Sequence, residues 1–94
     1  MNNTVLELKV KNHPGVMSHV CGLFARRAYN MEGILCLPMK DNSHSKIWLL
    51  VNEEERLNQV IKQTNKLEDV VDIKHHVKVD EHVFSQLEEL FGVS

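Results

Sequence analysis

One short segment of this chain, Asn12-His13-Pro14-Gly15-Val16-Met17, has residue types that suit a site for a small anion. A strand-like alternating run, Val5 to Lys11, precedes it, and an amphipathic helix is predicted directly after it. A Pro-Gly turn that opens a helix leaves several backbone N–H groups without partners at the positive pole of the helix dipole. The segment therefore predicts a site that binds a carboxylate rather than one that performs chemistry on it.

The histidines and cysteines of this chain do not have the spacing that favours a metal site or a disulfide. His75 and His76 are adjacent on a predicted strand and so point to opposite faces, while a closed metal site needs four convergent ligands. The chain has no Cys-x-x-Cys and no His-x-x-x-His spacing. Cys21 and Cys36 fall in a predicted helix and a predicted strand, so we expect buried, reduced thiols, with a disulfide as the alternative. No metal site is predicted.

Size and charge narrow the class of protein. The chain has 94 residues, enough for one domain, and a formal net charge of −2 without any block of Lys or Arg. That balance argues against nucleic acid as the main partner, because phosphate neutralisation needs clustered positive charge. No apolar run approaches the ~20 residues of a membrane span, and no secretory signal is visible. We expect a cytoplasmic protein that binds neither nucleic acid nor membrane.

The hydrophobic periodicity predicts an α+β fold. Asn52 has Glu55 three residues on, the pattern of a helix cap, and Asp80 is a candidate cap for a last helix. The predicted strands are 5–11, 30–39, 46–51 and 70–79, and the predicted helices are 15–28, 52–66 and a C-terminal one. The first six elements give a ferredoxin-like βαββαβ domain, with strand order 4-1-3-2 and both helices on one face of an antiparallel sheet. We assign this domain to residues 1–79 and a helical tail to residues 80–94.

The sheet face away from the helices is predicted to be apolar. The expected residues there are Ile34, Cys36, Trp48 and Leu50, and such a patch is seldom left in contact with water. The second strand is also a long edge with few charges, which favours pairing with a second copy. We expect a twofold dimer with a continuous sheet. The alternative is a monomer whose own tail covers the patch.

Several segments resemble a known family, the small regulatory subunits of acetolactate synthase (acetohydroxyacid synthase). The matching segments are Asn12–Val20, Gly22–Arg27, Tyr29–Ile34 and Lys66–Val71. The resemblance runs from about Val5 to Val79 and respects the predicted element order. Because only one helix follows the domain, the chain looks like the short, single-domain type of isozyme I. The resemblance implies an ACT domain, the amino-acid-binding version of this fold.

The same resemblance implies a non-catalytic role. A subunit of this kind activates a large catalytic subunit and confers feedback inhibition by valine in branched-chain amino acid biosynthesis. Thiamine diphosphate, magnesium and FAD are then expected on the catalytic subunit, with no cofactor on this chain. The site implied for valine combines two segments at a dimer interface. They are the turn, Asn12, His13, Pro14, Gly15, Val16 and Met17, and the other protomer's second strand, Asn30, Met31, Glu32 and Ile34.

The chemistry of these residues suits a zwitterion. N–H groups near Gly15 can receive the carboxylate, and the side-chain oxygens of Asn12 and Asn30 can accept from the ammonium group. A Cβ at Gly15 is expected to block the approach of the ligand, and an aliphatic side chain can lie among Val16, Met17 and Ile34. The alternative for Asn12 is a purely structural role, in which its side chain holds the turn.

Three other functions fit the same fold. An acylphosphatase-like hydrolase needs an arginine in the first turn, which is missing here. An RNA-binding module needs aromatics on the central strands, which offer only Trp48. An ACT-type sensor that regulates a different enzyme or a transcription factor stays open on fold alone. For the catalytic subunit, we expect an interface formed by the open-face and tail residues Trp48, Leu50, Phe84 and Phe91.

Overall fold

The computed structural model describes residues 3–76 of the chain together with residue 86. Its four strands and two helices follow the predicted order. They are β1 (Asn3–Lys11), α1 (Val16–Arg26), β2 (Met31–Pro38), β3 (His44–Asn52), α2 (Leu57–Asn65) and β4 (Val70–His76). The strands form one antiparallel sheet in the order β2-β3-β1-β4, which is the predicted order read from the other edge. The ferredoxin-like prediction is therefore confirmed.

The core lies between the two helices and one face of the sheet. Alternate residues of the central strands β1 and β3 pair across the sheet on this face, such as Leu6 with Leu49 and Leu8 with Ile47. All four side chains are fully buried. The helices contribute further core side chains, Val16, Val20, Phe24, Leu57 and Val60. The alternation in β1 and β3 thus places one face of the sheet under both helices.

The second helix begins later than predicted, and Asn52 is not its cap. Asn52 ends β3, where it pairs with Asn3 of β1, and its backbone oxygen accepts a hydrogen bond from the Tyr29 hydroxyl. The N-cap position of α2 is Arg56, which makes no side-chain capping bond. The strand pairing therefore commits the Asn52 backbone to the sheet, and the helix starts where its apolar stripe begins, at Leu57.

A bulge in β2 overturns the predicted assignment of its faces. The pairing of β2 with β3 shifts register between Met31 and Gly33. Beyond this shift, Ile34 and Cys36 lie opposite the core residues Leu49 and Ile47. Directly opposed residues of antiparallel strands share a face, so Ile34 and Cys36 belong to the helix-covered face. The prediction that they line the open face was wrong.

The open face instead takes the other set of β2 side chains. Leu35 lies opposite Trp48, and Gly33 lies opposite Leu50. Trp48 and Leu50 therefore occupy the open face, as predicted. Val5 of β1 joins them, because it pairs with Leu50.

A second irregularity lies between β1 and β4. The pairing skips Val71, because Lys9 lies opposite Asp72 while Val10 lies opposite Val70. Val71 is consequently 49% exposed, although the alternation predicts that it shares a face with Ile73. The predicted end of this strand, residues 77–79, and the predicted tail helix 80–94 with Phe84 and Phe91 lie outside the described residues, apart from residue 86. The proposed domain boundary stays a prediction.

Candidate ligand-binding site

The turn between β1 and α1 exposes backbone donors, as predicted. The N–H groups of Gly15, Met17 and Ser18 find no acceptor within residues 3–76, and Val16 N donates over a long 3.4 Å to the His13 carbonyl. No side chain caps α1 and no acidic residue lies in its first turn. These donors lie at the positive end of an 11-residue helix. The turn can therefore bind a carboxylate through its main chain.

Gly15 is needed here for its backbone conformation. Its φ of +92° lies in the left-handed region, which side chains with a Cβ rarely adopt. Within residues 3–76, and apart from the two chain neighbours of Gly15, nothing lies within 4 Å of the position that a Cβ would occupy. The surface over Gly15 is thus open on its own chain. The prediction that a Cβ blocks the ligand stays a prediction.

Asn12 holds the turn and keeps one oxygen available. Its backbone N donates to the Ser43 carbonyl at 3.0 Å, and its side-chain Nδ2 donates to the Asn42 carbonyl at 3.0 Å. The structural role considered for Asn12 is therefore present. Its Oδ1 makes no hydrogen bond within the described part of the chain, so this oxygen can accept from an ammonium group.

Two histidines and a carboxylate meet beside this turn, a cluster that the sequence analysis missed. His13 Nε2 lies 2.6 Å from Asp69 Oδ1, and His19 Nδ1 lies 2.8 Å from Asp69 Oδ2. The hydrogen bond to Asp69 is the main cause that raises the pKa of His13 above its ordinary value. The bonds from His13 and, second, from His19 lower the pKa of Asp69. Because the partners are 50 and 56 residues apart, spacing alone could not reveal the cluster.

The side chains of the turn differ in what they can offer a ligand. Val16 is 5% exposed and belongs to the core of its own chain, and its predicted part in enclosing the ligand stays a prediction. Met17 is partly buried against the core, and Pro14 is exposed. The turn therefore offers main-chain donors and the Met17 side chain.

The predicted strand segment lies at the other end of α1. Asn30 and Glu32 are exposed, Ile34 is 39% exposed, and Met31 packs partly against the core. An α-helix of 11 residues spans about 16 Å, so Asn30 and the turn of the same chain are well separated. Within one chain the structure does not bring the two predicted halves of the site together.

Arg56, at the start of α2, holds the residues that lead into the predicted strand segment. Its role was not predicted from the sequence. Its guanidinium donates from Nη1 to the Arg27 carbonyl at 2.6 Å and from Nη2 to the Ala28 carbonyl at 2.8 Å. It also lies over the Tyr29 ring, 4.8 Å from the ring centroid. Arg56 thus holds the residues that lead from the end of α1 into β2.

The open sheet face combines an apolar patch with charged neighbours. Trp48 is half-buried and Leu50 is buried, with Leu35 and Val5 opposite them in the sheet. Beside them Glu7 forms an ion pair with Lys46 and a hydrogen bond with His76, each at 3.0 Å. A shallow depression next to this patch is lined by Glu7, Lys9, Met39, Lys46, Asp72 and Lys74. The face therefore suits contact with another protein more than an enclosed ligand.

The described residues contain no metal-binding cluster, no helix that could span a membrane and no disulfide. Among residues 3–76 and 86, no three His, Cys, Asp or Glu side chains are placed to hold a metal ion. None of the helices described there is long and apolar enough to cross a membrane. Both cysteines are free and partly buried.

Comparison with known sequences identifies the family. Residues 6–72 match the family model described as "AHAS small subunit-like ACT domain". The chain is 57% identical over 90 residues to the acetolactate synthase isozyme 1 small subunit of Escherichia coli strain K12, covering 96% of this chain and 93% of that protein. It is 37% identical over 68 residues to the isozyme 3 small subunit of the same strain, covering 71% of this chain and 42% of that protein.

Solved structures agree with this assignment. The acetolactate synthase small subunit from Thermotoga maritima matches with a TM-score of 0.75 and 25% identity, covering 98% of this chain and 69% of that chain. The ACT domain of a GTP pyrophosphokinase from Chlorobium tepidum matches with a TM-score of 0.68 over 85% of this chain and 91% of that chain, and at 14% identity it supports the fold alone. The chain therefore belongs to the family of acetolactate synthase small subunits, regulatory subunits built on an ACT domain.

Proposed function

We propose that two copies of this chain bind valine, or another branched-chain amino acid, in sites shared between them, and that this binding inhibits the catalytic subunit of acetolactate synthase. The observation that carries the proposal is the turn at Gly15, where three main-chain N–H groups face outward at the end of a helix. An amino acid is the ligand whose carboxylate and ammonium groups suit these donors and the nearby Asn12 oxygen. The relatives support a regulatory role, because they are small subunits of that enzyme.

The topology of the sheet supports a shared site. β2 is an edge strand and is antiparallel to β3, which is itself antiparallel to β1, so β1 and β2 run in the same direction. A twofold axis that pairs β2 with its copy makes the two copies antiparallel. The first residues of the partner's β2 then lie at the end of the sheet where the turn follows β1. This pairing brings together the two segments that α1 separates within one chain.

The exposed side chains at the edge favour this pairing. Ile34 is 39% exposed and Leu37 is 49% exposed, so two large apolar side chains of this edge strand are accessible to a partner. An edge strand also carries unpaired main-chain donors and acceptors. A dimer through β2 would bury these apolar side chains and pair these main-chain donors and acceptors.

Each part of the ligand then has a chemical partner. Its carboxylate accepts hydrogen bonds from the N–H groups of Gly15 and Met17. Its ammonium group donates to Asn12 Oδ1 and to Asn30 of the partner subunit. Its aliphatic side chain lies near Met17 and Ile34 of the partner subunit, which are apolar and accessible.

Regulation follows from linkage between two binding events. We propose that the catalytic subunit binds the open face at the half-buried Trp48, and that it favours the dimer arrangement which valine disfavours. A coupling free energy of ~1–3 kcal/mol between two sites is typical and suffices for strong inhibition. An ACT-type sensor for another enzyme explains the turn equally well, but the 57% identity favours acetolactate synthase.

The test compares two substitutions at one glycine. Gly15→Asp places a negative charge beside the ligand carboxylate, whereas Gly15→Asn brings a side chain of the same shape without charge. Asn and Asp both tolerate left-handed backbone better than most residues, so the strain at φ +92° is matched. Isothermal titration calorimetry with valine, leucine and isoleucine should show binding by the wild type, weaker binding by Gly15→Asn, and none by Gly15→Asp.

Circular dichroism serves as the control that both variants are folded. Equal affinity for valine in the two folded variants would contradict a carboxylate site at this turn. If the wild type binds none of the three amino acids, the proposed function itself is contradicted.

A further inference from the structure

The His13 ring lies between two hydrogen-bond acceptors. Its Nδ1 is 2.7 Å from the Pro14 carbonyl oxygen, and its Nε2 is 2.6 Å from Asp69 Oδ1. Neutral imidazole carries one N–H and can donate only one of these bonds, whereas the imidazolium form donates both. With an ionised Asp69 carboxylate, both contacts are hydrogen bonds only when the ring is protonated.

Asp69 joins three separate elements around this ring. One carboxylate oxygen accepts from His13 and the other accepts from His19 on α1. Its backbone oxygen accepts from Lys11 N, at the end of β1, at 2.9 Å. The Asp69 side chain is only 15% exposed, so it is held firmly. One residue thus connects the end of β1, the turn and the first helix.

The charged groups around His13 have opposing effects on the protonation of its ring. The loop before β4 contributes Asp69, which favours the protonated ring, and β1 contributes Lys11, whose charge opposes it. α1 contributes His19, which shares the same carboxylate. Asp41, in the turn before β3, and His44, the first residue of β3, pair with each other at 3.1 Å. The pKa of His13 is raised, because Asp69 and the Pro14 carbonyl outweigh Lys11 and the partial burial of the ring.

We propose that His13, held as an imidazolium by Asp69 and the Pro14 carbonyl, is a proton-dependent latch, which fixes the amino-acid-binding turn in the conformation that leaves its main-chain N–H groups free for a ligand. This proposal rests on the proposed function. His13 directly precedes Pro14-Gly15, so its two bonds restrain the turn whose N–H groups face the ligand. Its positive charge lies on the same turn and attracts a carboxylate. Asp69 is a positioning residue, because it acts through His13.

The pH dependence follows from the sign of the shift. A raised pKa keeps His13 protonated at low pH, and the proton is lost as the pH rises through that raised value. Affinity for valine should therefore fall towards alkaline pH. Replacing Asp69 with Asn removes the carboxylate, so the pKa of His13 should return towards its ordinary value of 6.5. The loss of affinity should then occur at lower pH.

The experiment measures valine affinity by calorimetry between about pH 6 and pH 9. For the wild type we expect affinity to fall by about fivefold or more over this range, the lower end of ordinary coupling between two linked equilibria. Asp69→Asn should shift the fall to lower pH, and His13→Gln should remove it. The matched control is His76→Gln, since His76 forms a similar 3.0 Å pair with Glu7 on the open face. This control should keep the wild-type pH profile.

A second measurement needs no ligand. NMR titration of the His13 ring should give a pKa above 6.5 in the wild type and a lower value in Asp69→Asn. An Asp69→Asn or His13→Gln protein with the wild-type affinity and pH profile would overturn the latch, and so would a wild-type ring that titrates at or below 6.5. If the wild type binds no amino acid at any pH, the proposed function fails, and the ring titration still decides whether His13 is held as an imidazolium.

Discussion

Removing the Arg56 side chain should destabilise the domain at one corner. Arg56 joins the start of α2 to the end of α1 through bonds to two backbone carbonyls, 28 and 29 residues away in sequence. It also stacks on Tyr29, which is 3% exposed and part of the core. In an Arg56→Ala variant the two carbonyls and one face of the Tyr29 ring lose their partner.

The cost can be estimated from these contacts. A hydrogen bond from a charged group contributes about 1.5–3 kcal/mol when buried. Arg56 is 45% exposed, so water replaces part of each bond and we take about 1 kcal/mol for each. The cation–π contact adds about 0.5–1 kcal/mol. The free energy of unfolding should therefore fall by about 2–3 kcal/mol, which lowers Tm by roughly 10 °C or more in a domain of this size.

The assay is urea or thermal unfolding at a fixed protein concentration, because the proposed dimerisation is linked to stability. Arg56→Lys should recover part of the loss, since an ammonium group keeps the charge but does not present the two parallel donors of guanidinium. Arg27→Ala is the matched control, because the Arg27 side chain is exposed at the same corner while its carbonyl is retained. Equal stability of Arg56→Ala and Arg27→Ala would refute this account of the corner.

Three further predictions concern other parts of the domain. Trp48→Ala should weaken activation of the catalytic subunit by about tenfold or more, because half-buried Trp residues often dominate interfaces, whereas the exposed Val71→Ala should not. Activity titrations with each folded variant measure this difference, and equal activation would contradict the open-face interface. The Lys46 bond lowers the pKa of Glu7, so Glu7 stabilises the fold above its ordinary pKa of 4.5 and loses this effect as the pH falls through the lowered value. Glu7→Gln should therefore cost roughly 1 kcal/mol at neutral pH and little in acid, as unfolding across a pH series will reveal; an unchanged pH profile would refute it. Ala28, two residues past the end of α1, has φ +53°, so Ala28→Gly should stabilise the domain by about 0.5–1 kcal/mol; a lower stability of this variant in unfolding measurements would contradict this reasoning.

Local patterns predicted the elements and their arrangement well. Alternation identified β1 and β3, and helical spacing identified α1 and α2, because each element buries one face against the same core. The Pro-Gly turn identified the exposed donors, since a glycine with positive φ at a helix start leaves the first N–H groups free.

The errors came from residues whose roles depend on pairing across the sheet. A single extra residue in β2, near Glu32, reversed the faces of Ile34 and Cys36, and the same effect at Val71 exposed that side chain. Asn52 has the local pattern of a helix cap, but its backbone pairs with β1 and so belongs to the sheet. Bulges and strand ends are set by the partner strand, so one strand's sequence does not contain them.

The residues that hold the candidate site were also missed for a physical reason. Asp69 reaches His13 and Arg56 reaches Ala28 across long stretches of chain, so only the folded topology brings them together. Their residue types are ordinary for exposed positions, and nothing in their spacing distinguishes them from solvated charges. The two halves of the proposed valine site are harder still to predict, because one chain alone does not unite them.

The central claim, a site composed of two protomers, is tested most directly by a mixed dimer. Gly15→Asp damages the turn, and Asn30→Lys places a cation beside the ligand ammonium group in the strand segment. We expect neither variant to bind valine alone, whereas a purified dimer containing one copy of each retains one undamaged turn facing one undamaged strand. Calorimetry should then give one valine per mixed dimer. A mixed dimer that binds no valine, formed from variants that are each folded and dimeric, would contradict a site shared across the twofold axis.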